Sequence, residues 1–490
     1  MVAMSLPEGW RAGVPIVHIP RHPLWIDAYE GAWDVLERWA AQPGAPRLPE
    51  AAANLHYVRY AFAALPLHDW LDQQYDERLS PLHAWSEWSL FQVTGDTARL
   101  ARALPALLGQ FFRLRTTRRR VKSVGRSAWA GGQDGSNGPA DGPDDASVLH
   151  PVRAGRGGRR AGDLSHTRQD RGADSAGGLY YCTEGEGELD QLPRAPYGWS
   201  DLTAQQAMAA EHCARMARAV GAGAEAENCE AEWRALRSLI EQRCWDDSSQ
   251  FYTDCGRDGT PQAVKTVAGL WPLLAGVPSP ERAQRLAAHL SEPGEFWRVH
   301  VFAGLSADHP RYSDRGDRWR GAVWPFHNYA IIKGLERYGL HDLARRAADN
   351  HITTISHVYK ETRSHWDYYA PDYIEPGSTA RHDAAGTGVS AVALLLETIL
   401  GLNLDAPAHT LHWRPTLCEA YDVDRLRIGS ALLRLHVTPE PGNPCRVHAA
   451  LRASEPLTLH LSTPEGEQWV EVENEVSLSV LARWPVRRGS

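Results

Sequence analysis

Residues 318–329, RWRGAVWPFHNY, determine how the rest of the chain is interpreted. Proline is tolerated at the first position of a helix, so Pro325 predicts a helix start, and apolar residues at helical spacing follow it up to Gly339, which suits a left-handed C-terminal cap. The stretch is therefore predicted to be a loop that runs into a helix, with Trp319, Arg320 and Trp324 at its mouth. Flat aromatic faces beside a rigid guanidinium suit a sugar ring, whose C–H faces are apolar and whose rim is polar. The alternative is a tryptophan-rich corner of the core in which Arg320 is only an ion-pair partner.

The composition limits the class of protein. The 490 residues allow a large core and a smaller second domain, and the net charge of −8 lacks the basic footprint of a nucleic-acid-binding protein. The seven cysteines are scattered without a C-x-x-C pair, which argues against a disulfide framework and a cysteine zinc site. No secretion signal and no uncharged stretch of membrane-spanning length is evident. We therefore expect a cytoplasmic protein without nucleic-acid or membrane partners, and the oligomeric state stays open.

Two periodicities divide the chain. Helical spacing recurs up to residue 400 with no convincing strand between the helices, which predicts a mainly α-helical domain over 1–402. Alternation with period two then predicts a small antiparallel β-domain over 403–490. The predicted helices are 24–41, 55–75, 81–92, 98–112, 200–220, 228–243, 263–274, 283–289, 342–359 and 388–400, besides the one at Pro325, and the predicted strands include 432–437, 457–461 and 469–472.

Residues 116–178 have a different composition from the rest of the helical part. They contain no Glu, Ile, Phe, Tyr or Met, and Arg, Gly, Ala, Ser and Asp dominate. Such a segment buries too little apolar surface to offset the entropy of ordering, so we expect a disordered insertion. A frame error in the coding sequence would give a similar composition, and a basic nucleic-acid tail is disfavoured because Asp is interspersed with Arg.

Two acidic stretches are candidates for catalytic loops. Residues 185–194 (GEGELDQLPR) hold three acids close together, whose repulsion raises the pKa of the most buried one and suits a general acid. Residues 365–377 (HWDYYAPDYIEPG) form an aromatic, acidic, loop-like stretch between two predicted helices. Each could instead be a solvated acidic loop. His327, His365 and His382 are isolated in the sequence, so we expect no metal site.

Five ordered motifs resemble one family. Residues 319–329 resemble its WRGPVWPxxNY string, and 187–206, 295–310, 366–371 and 82–88 resemble its GSGMDNxPR…WxDLxAQQ, FW…PSLSADDP, WENYAPE and PLxAWxEW strings. The family is the trehalase-like (α/α)₆-barrel glycoside hydrolases, and the resemblance is to the mannosylglycerate hydrolase-like group, kin to processing α-glucosidase I.

The resemblance implies an (α/α)₆ toroid with a C-terminal β-domain and an inverting hydrolysis of an α-linked glucoside or mannoside without a cofactor. It implies Asp190 as the general acid and Asp367 as the general base. The substrate-binding residues that it implies are Trp319, Arg320, Trp324, Asn328, Tyr181, Arg194, Trp366 and Tyr368.

The sequence departs from the family at the base and at the WDT motif, in its shortened N-terminal barrel helices, and in the insertion at 116–178 before the general-acid loop. Asp367 replaces a glutamate and is one methylene shorter, and a misplacement of about 1 Å can lower a rate by roughly 100-fold. Asp372 and Glu375 are therefore fallback candidates for the base. The WDT motif of the family has no counterpart near residues 54–62. The alternatives are consequently a catalytically impaired carbohydrate-binding relative and a damaged gene product whose barrel is incomplete.

Overall fold

The computed structural model describes residues 6, 8–40, 56–63, 81–124, 171–173, 179–182, 199–255, 260–383 and 385–482. Up to residue 399 these ranges are mainly helical, as predicted. The helices are α1 (Pro23–Ala40), α2 (Leu82–Thr94), α3 (Thr97–Val124), α4 (Ser200–Ala219), α5 (Gly223–Arg243), α6 (Trp271–Leu274), α7 (Pro280–Ser291), α8 (Pro325–Arg337), α9 (His341–Thr362) and α10 (Val389–Ile399).

Local signals explain where these helices begin and end. Helix α8 has Pro325 in its first turn, and Gly339 beyond its C-terminus has a φ of +69°, both as predicted. Helix α7 starts after Ser279, whose hydroxyl accepts a hydrogen bond from the N–H of Arg282 at 3.3 Å. Every residue of α10 is buried, which fits a helix that is apolar nearly all round.

The helices pack in two groups. Helix α4 packs against α2, α3, α5 and α6, whereas α9 packs against α1, α8 and α10. The contact between α6 and α8 joins the groups, so the loop that precedes α8 and the segment after α9 are attached to one continuous core.

The C-terminal part forms two sheets. One has the strand order β1-β8-β9-β10-β13 and the other the order β12-β11-β7-β6. Alternate residues are buried, as in β9 and β11, so each sheet turns one face to the core. The strands in chain order are β1 (Ile16–His18), β2 (Arg171–Ala173), β3 (Tyr180–Cys182), β4 (Trp245–Asp246), β5 (Phe251–Tyr252), β6 (Leu402–Asp405), β7 (Thr410–Trp413), β8 (Tyr421–Ile428), β9 (Ala431–Glu440), β10 (Asn443–Ala453), β11 (Leu457–Thr463), β12 (Gly466–Val472) and β13 (Glu475–Leu481).

The structure differs from the prediction in its strands. Strand β1, near the N-terminus, pairs antiparallel with β8, where Val17 lies opposite Val423. Short hairpins, β2–β3 and β4–β5, interrupt the helical part, and β7 pairs with β11 in parallel although the rest of the sheets are antiparallel. Strands of two or three residues are too short to show a period-two pattern, and a pairing of distant segments leaves no local signal.

The structure also changes the limits of the predicted insertion. Helix α3 continues to Val124, well past the predicted end at residue 112, so the first residues of 116–178 are helical. Residues 171–173 form β2. The remainder, 125–170 and 174–178, lies outside the described residues. The Arg, Lys and Leu residues after position 112 favour a helix, which explains the extension. In the described part of the chain, no helix combines the length and the apolarity needed to cross a membrane.

Candidate active site

The structure brings two of the predicted motifs together. We call residues 318–324 the tryptophan loop and residues 366–382 the acidic hairpin. The N–H of Val323 donates to the carbonyl of Tyr369 at 2.9 Å, and the N–H of Tyr369 donates to the carbonyl of Val323 at 3.0 Å. This two-bond bridge fixes the tryptophan loop beside the hairpin that carries Asp367.

Three aromatic rings form a continuous stack at this junction. The rings of Trp319 and Trp324 are 4.5 Å apart and 15° from parallel, and Tyr368 lies 4.5 Å from Trp324 at 41°. Trp319 and Trp324 are 3% and 5% exposed, and their indole N–H groups have no hydrogen-bond partner among the described residues. The hydroxyl of Tyr368 shares a 2.6 Å hydrogen bond with Thr379. Burial raises the pKa of Tyr368, against the effect of the bond to Thr379, so the phenol stays neutral.

The guanidinium of Arg320 is held within its own loop. It forms an ion pair with Asp317, three residues earlier, while about a third of its side chain (35%) stays exposed. The carbonyl of Arg320 accepts a 2.6 Å hydrogen bond from the N–H of Ser313. Gly321 follows with a φ of +131°, and a Cβ there would lie 2.5 Å from the carbonyl oxygen of Ser313. The position therefore needs glycine, which explains the Trp-Arg-Gly order of the motif.

The carboxylate of Asp367 is anchored across the acidic hairpin. The N–H of Arg381 donates to its Oδ1 at 2.7 Å, and the Nε of Arg381 donates to its Oδ2 at 3.1 Å. The N–H of Asp367 donates back to the carbonyl of Arg381 at 3.0 Å. Only 9% of the Asp367 side chain is exposed. Its orientation is thus set by the opposite strand of the hairpin.

The two fallback bases are engaged in ion pairs. Asp372 forms a two-bond pair with Arg298, at 2.7 and 3.0 Å, and Glu375 pairs with Arg315 at 2.6 Å. Both carboxylates lie beyond Ala370, at the tip of the hairpin.

Asn328 and Trp366 have protein partners of their own. Asn328 is fully buried, and its amide bonds the carbonyl of Val301, the N–H of Phe302 at 3.0 Å and a ring nitrogen of His351 at 2.9 Å. Its amide therefore holds the loop at residues 301–302. The indole N–H of Trp366 donates to Thr362 at 3.1 Å.

Part of the predicted site lies outside the described residues, namely Asp190 and Arg194. Tyr181 lies in β3, which pairs with β2. Near the expected place of the WDT motif, Arg59 forms an ion pair with Glu397, and Tyr60 donates to the same carboxylate at 2.8 Å. Burial raises the pKa of Glu397, but the charges of Arg59 and Lys333, together with the hydrogen bonds from Tyr60 and Lys333, lower it overall.

Sequence reasoning missed the charged partners of the predicted residues. Arg381, Asp317 and Arg298 hold Asp367, Arg320 and Asp372 respectively. The spacing of Asp317 and Arg320 was a readable signal, whereas the other two pairs depend on the fold. His327 accepts a hydrogen bond from the indole of Trp271 at 3.0 Å, and its ring meets Trp319 edge-on at 5.2 Å.

Curated relatives match parts of the chain. A mannosylglycerate hydrolase of Thermus thermophilus is 31% identical over 141 residues, which cover 29% of this chain and 32% of the relative. A periplasmic trehalase of Salmonella newport is 27% identical over 164 residues, which cover 32% of this chain and 27% of the relative. The alignments thus span about a third or less of these relatives.

Solved structures show a similar fold. A GH63 mannosylglycerate hydrolase from Thermus thermophilus, in complex with Tris, superposes with a TM-score of 0.51 and 18% identity, over 74% of this chain and 98% of that chain. A sialidase superposes with a TM-score of 0.60 and 12% identity, over 91% of this chain and 41% of that chain.

A family match covers most of the chain. Residues 24–381 match the mannosylglycerate hydrolase MGH1-like glycoside hydrolase domain, and they include all five motifs. The tryptophan loop and the acidic hairpin, which the structure joins, lie inside this range apart from the last hairpin residue. The chain therefore belongs to the mannosylglycerate hydrolase MGH1-like glycoside hydrolase family.

Proposed function

We propose that this chain is an inverting glycoside hydrolase that cleaves an α-linked glucoside or mannoside at the non-reducing end of a small glycoside or oligosaccharide. We further propose that its helices form an (α/α)₆ toroid whose loops carry the active site, with a C-terminal β-domain beside it. The observation that carries the proposal is the bridge between Val323 and Tyr369, which fixes the aromatic stack next to the anchored carboxylate of Asp367.

The proposed reaction needs two carboxyl groups on opposite faces of the sugar. Asp190 would protonate the leaving oxygen as general acid, and Asp367 would take a proton from the water that attacks the anomeric carbon, which inverts its configuration. The bonds from Arg381 orient the carboxylate of Asp367. Carboxylates and water suffice for this chemistry, and no cofactor is proposed.

The sugar would contact the tryptophan loop and its neighbours. The exposed part of Arg320 can donate to a hydroxyl. The indole N–H groups of Trp319 and Trp324, which have no hydrogen-bond partner among the described residues, are buried beside it. Trp366 and Tyr368 would complete this wall from the hairpin, and Arg194 and Tyr181 are proposed to approach it from the acid-loop side. Asn328 would support the site through the loop at residues 301–302.

A second candidate is a carbohydrate-binding relative with impaired catalysis. Two observations favour it: both oxygens of Asp367 already accept hydrogen bonds, and the stacked tryptophans are largely covered by protein. A protein whose base has a short side chain and partly occupied lone pairs would still bind a sugar but would activate water poorly.

Release of free sugar from a panel of small α-glycosides distinguishes the two. The panel includes mannosylglycerate and trehalose, because proteins related to this chain are named for these substrates. We expect turnover in wild type and a loss of at least about 100-fold in both Asp190→Asn and Asp367→Asn. An anomeric product of inverted configuration, followed by NMR, would support the mechanism.

Other outcomes would change the assignment. Turnover that survives Asp367→Asn would move the base to Asp372 or Glu375. Sugar binding by calorimetry without turnover on any glycoside would favour the impaired relative. Neither binding nor turnover, with cooperative unfolding intact, would contradict both candidates.

A further inference from the structure

The acidic hairpin is a narrow two-stranded arm. Its strands pair at Trp366 with His382 and at Tyr369 with Pro376. The N–H of Ala370 donates to the carbonyl of Glu375 at 3.1 Å, which closes the tip at residues 371–375. Asp367 lies on one strand of this arm, so the position of the arm determines the position of its carboxylate.

Several contacts from outside the arm hold its tip, and one of them is a two-bond ion pair. The guanidinium of Arg298 bonds both oxygens of Asp372, through Nε at 2.7 Å and through Nη2 at 3.0 Å. The two side chains are only 28% and 16% exposed. Close by, the N–H of His300 donates to the carbonyl of Pro371 at 2.8 Å. A planar two-bond pair fixes an angle as well as a distance, so Arg298 restrains both the location and the tilt of the tip.

A second ion pair at the same tip is more exposed. Arg315 contacts Glu375 through one 2.6 Å bond, and these side chains are 58% and 39% exposed. A single bond in water restrains a loop weakly. The two ion pairs thus share a location at the tip but differ in how strongly they restrain it.

The arm transmits the position of its tip toward Asp367. The other fixed point of the same strand is the bridge from Tyr369 to Val323. Asp367 lies just beyond that bridge and is bonded to Arg381 on the returning strand.

Backbone bonds from Asp372 to Asp314 and from Ser378 to Arg315 also hold the arm, at 3.2 and 3.1 Å. Loss of the Arg298 pair therefore loosens the tip and lets the arm tilt about the bridge, which moves the carboxylate relative to the tryptophan loop.

We propose that Arg298 is a positioning residue, whose two-bond pair with Asp372 sets the carboxylate of Asp367 at its working place beside the tryptophan loop. This inference rests on the proposed function for its catalytic consequence. It also assigns Asp372 to the restraint of the arm and not to proton transfer.

The first test is steady-state kinetics on the best substrate of the glycoside panel. In Arg298→Gln and in Asp372→Asn, we expect kcat to fall by about 10- to 100-fold with KM within about twofold, since a shift near 1 Å has a cost of this size. Arg298→Lys keeps the charge without the planar fork, so it should recover part of kcat. Arg315→Gln, the matched control at the exposed pair, should stay within about twofold of wild type.

A second measurement does not depend on turnover. Backbone hydrogen exchange followed by mass spectrometry should be faster across residues 366–382 in Arg298→Gln than in wild type and Arg315→Gln. Unchanged exchange in Arg298→Gln would overturn the restraint, and faster exchange with an unchanged kcat would overturn the positioning role. If wild type turns over no glycoside, the proposed function fails, and the exchange result alone then supports or overturns the restraint.

Discussion

Replacement of Asn328 by alanine should destabilise the protein far more than the loss of a surface amide. Asn328 lies in α8 and is fully buried, and so are Val301 and Phe302, the residues whose backbone it bonds. Its Oδ1 accepts from the N–H of Phe302 at 3.0 Å, and its Nδ2 donates to the carbonyl of Val301. Alanine at this position would leave one backbone donor and one backbone acceptor buried without a partner.

The expected size follows from these two groups. A buried polar group that loses its partner costs about 1–3 kcal/mol, so Asn328→Ala should lower the free energy of unfolding by about 2–6 kcal/mol. The effect should reach the active site as well. The N–H of Gly304, two residues after Phe302, donates to the carbonyl of Ala322 at 3.1 Å, so a displaced loop would also displace the tryptophan loop.

Asn350 provides a matched control, because its amide bonds the same loop from a more exposed place. It accepts from the N–H of Val301 at 3.0 Å and donates to the carbonyl of Val299 at 2.9 Å. Water can replace the exposed bond to Val299, so only the N–H of Val301 loses its partner, and Asn350→Ala should cost about 1–3 kcal/mol. Urea unfolding at pH 7.5, followed by tryptophan fluorescence, measures both changes. A loss in Asn328→Ala that does not exceed the loss in Asn350→Ala would refute the reasoning.

Two further predictions concern pH and the tryptophan loop. Burial lowers the pKa of His351 to about 3 and of His365 to about 4, from an ordinary 6.5. The unfolded chain therefore binds protons that the folded chain excludes. The stability that depends on the neutral histidines is present above about pH 6.5 and is lost as the pH falls toward 4. Each histidine should lower the free energy of unfolding by about 1.4 kcal/mol at pH 5.5. A urea midpoint that does not decrease when the pH is lowered from 7.5 to 5.5 would contradict this. Gly321→Ala should destabilise by about 1–3 kcal/mol from backbone strain, and by more through the contact with Ser313. Gly339, with a φ of +69° and no atom within 4 Å of an added Cβ, is the control for strain alone, and equal thermal shifts in the two alanine variants would count against the contact.

The parts of the fold that sequence could predict carry local signals. The start of α8 at Pro325 and the cap at Gly339 follow from backbone chemistry. Alternation predicted the C-terminal strands β9, β11 and β12 but did not locate β8, β10 and β13. The pairing of Val17 with Val423 joins segments 406 residues apart by number and leaves no local trace. Charged and apolar residues after position 112 continued a helix that composition alone had assigned to disorder.

The features of the candidate site also divide into those with a local sequence signal and those without one. The order of the motifs indicated that the tryptophan loop and the acidic hairpin are motifs of one family. Their contact, however, is a backbone bridge, which no side chain in either stretch specifies. The partner of Asp372 lies 74 residues away at Arg298, and a lone arginine after a tryptophan gives no hint of that pair. The fold brings the partners of such ion pairs together, so these pairs can be identified only once the fold is known.

The tryptophan loop has two interpretations, a corner of the core built for packing and a wall that contacts a sugar. They differ in what the polar groups of the loop would contact. A buried donor without a partner costs about 1–3 kcal/mol, yet Trp10 and Trp33 carry such donors in a packed pair of the core away from this loop. Trp319 and Trp324 bring two such donors into one stack, and neither has a partner among the described residues. The ion pair between Arg320 and Asp317 fits either interpretation, since a guanidinium with five N–H groups can hold a carboxylate and still donate to a hydroxyl. The two indole nitrogens are themselves buried and do not separate the interpretations. The side chain of Arg320, about a third exposed, is a group of this loop that a sugar hydroxyl can reach, and it favours the sugar wall.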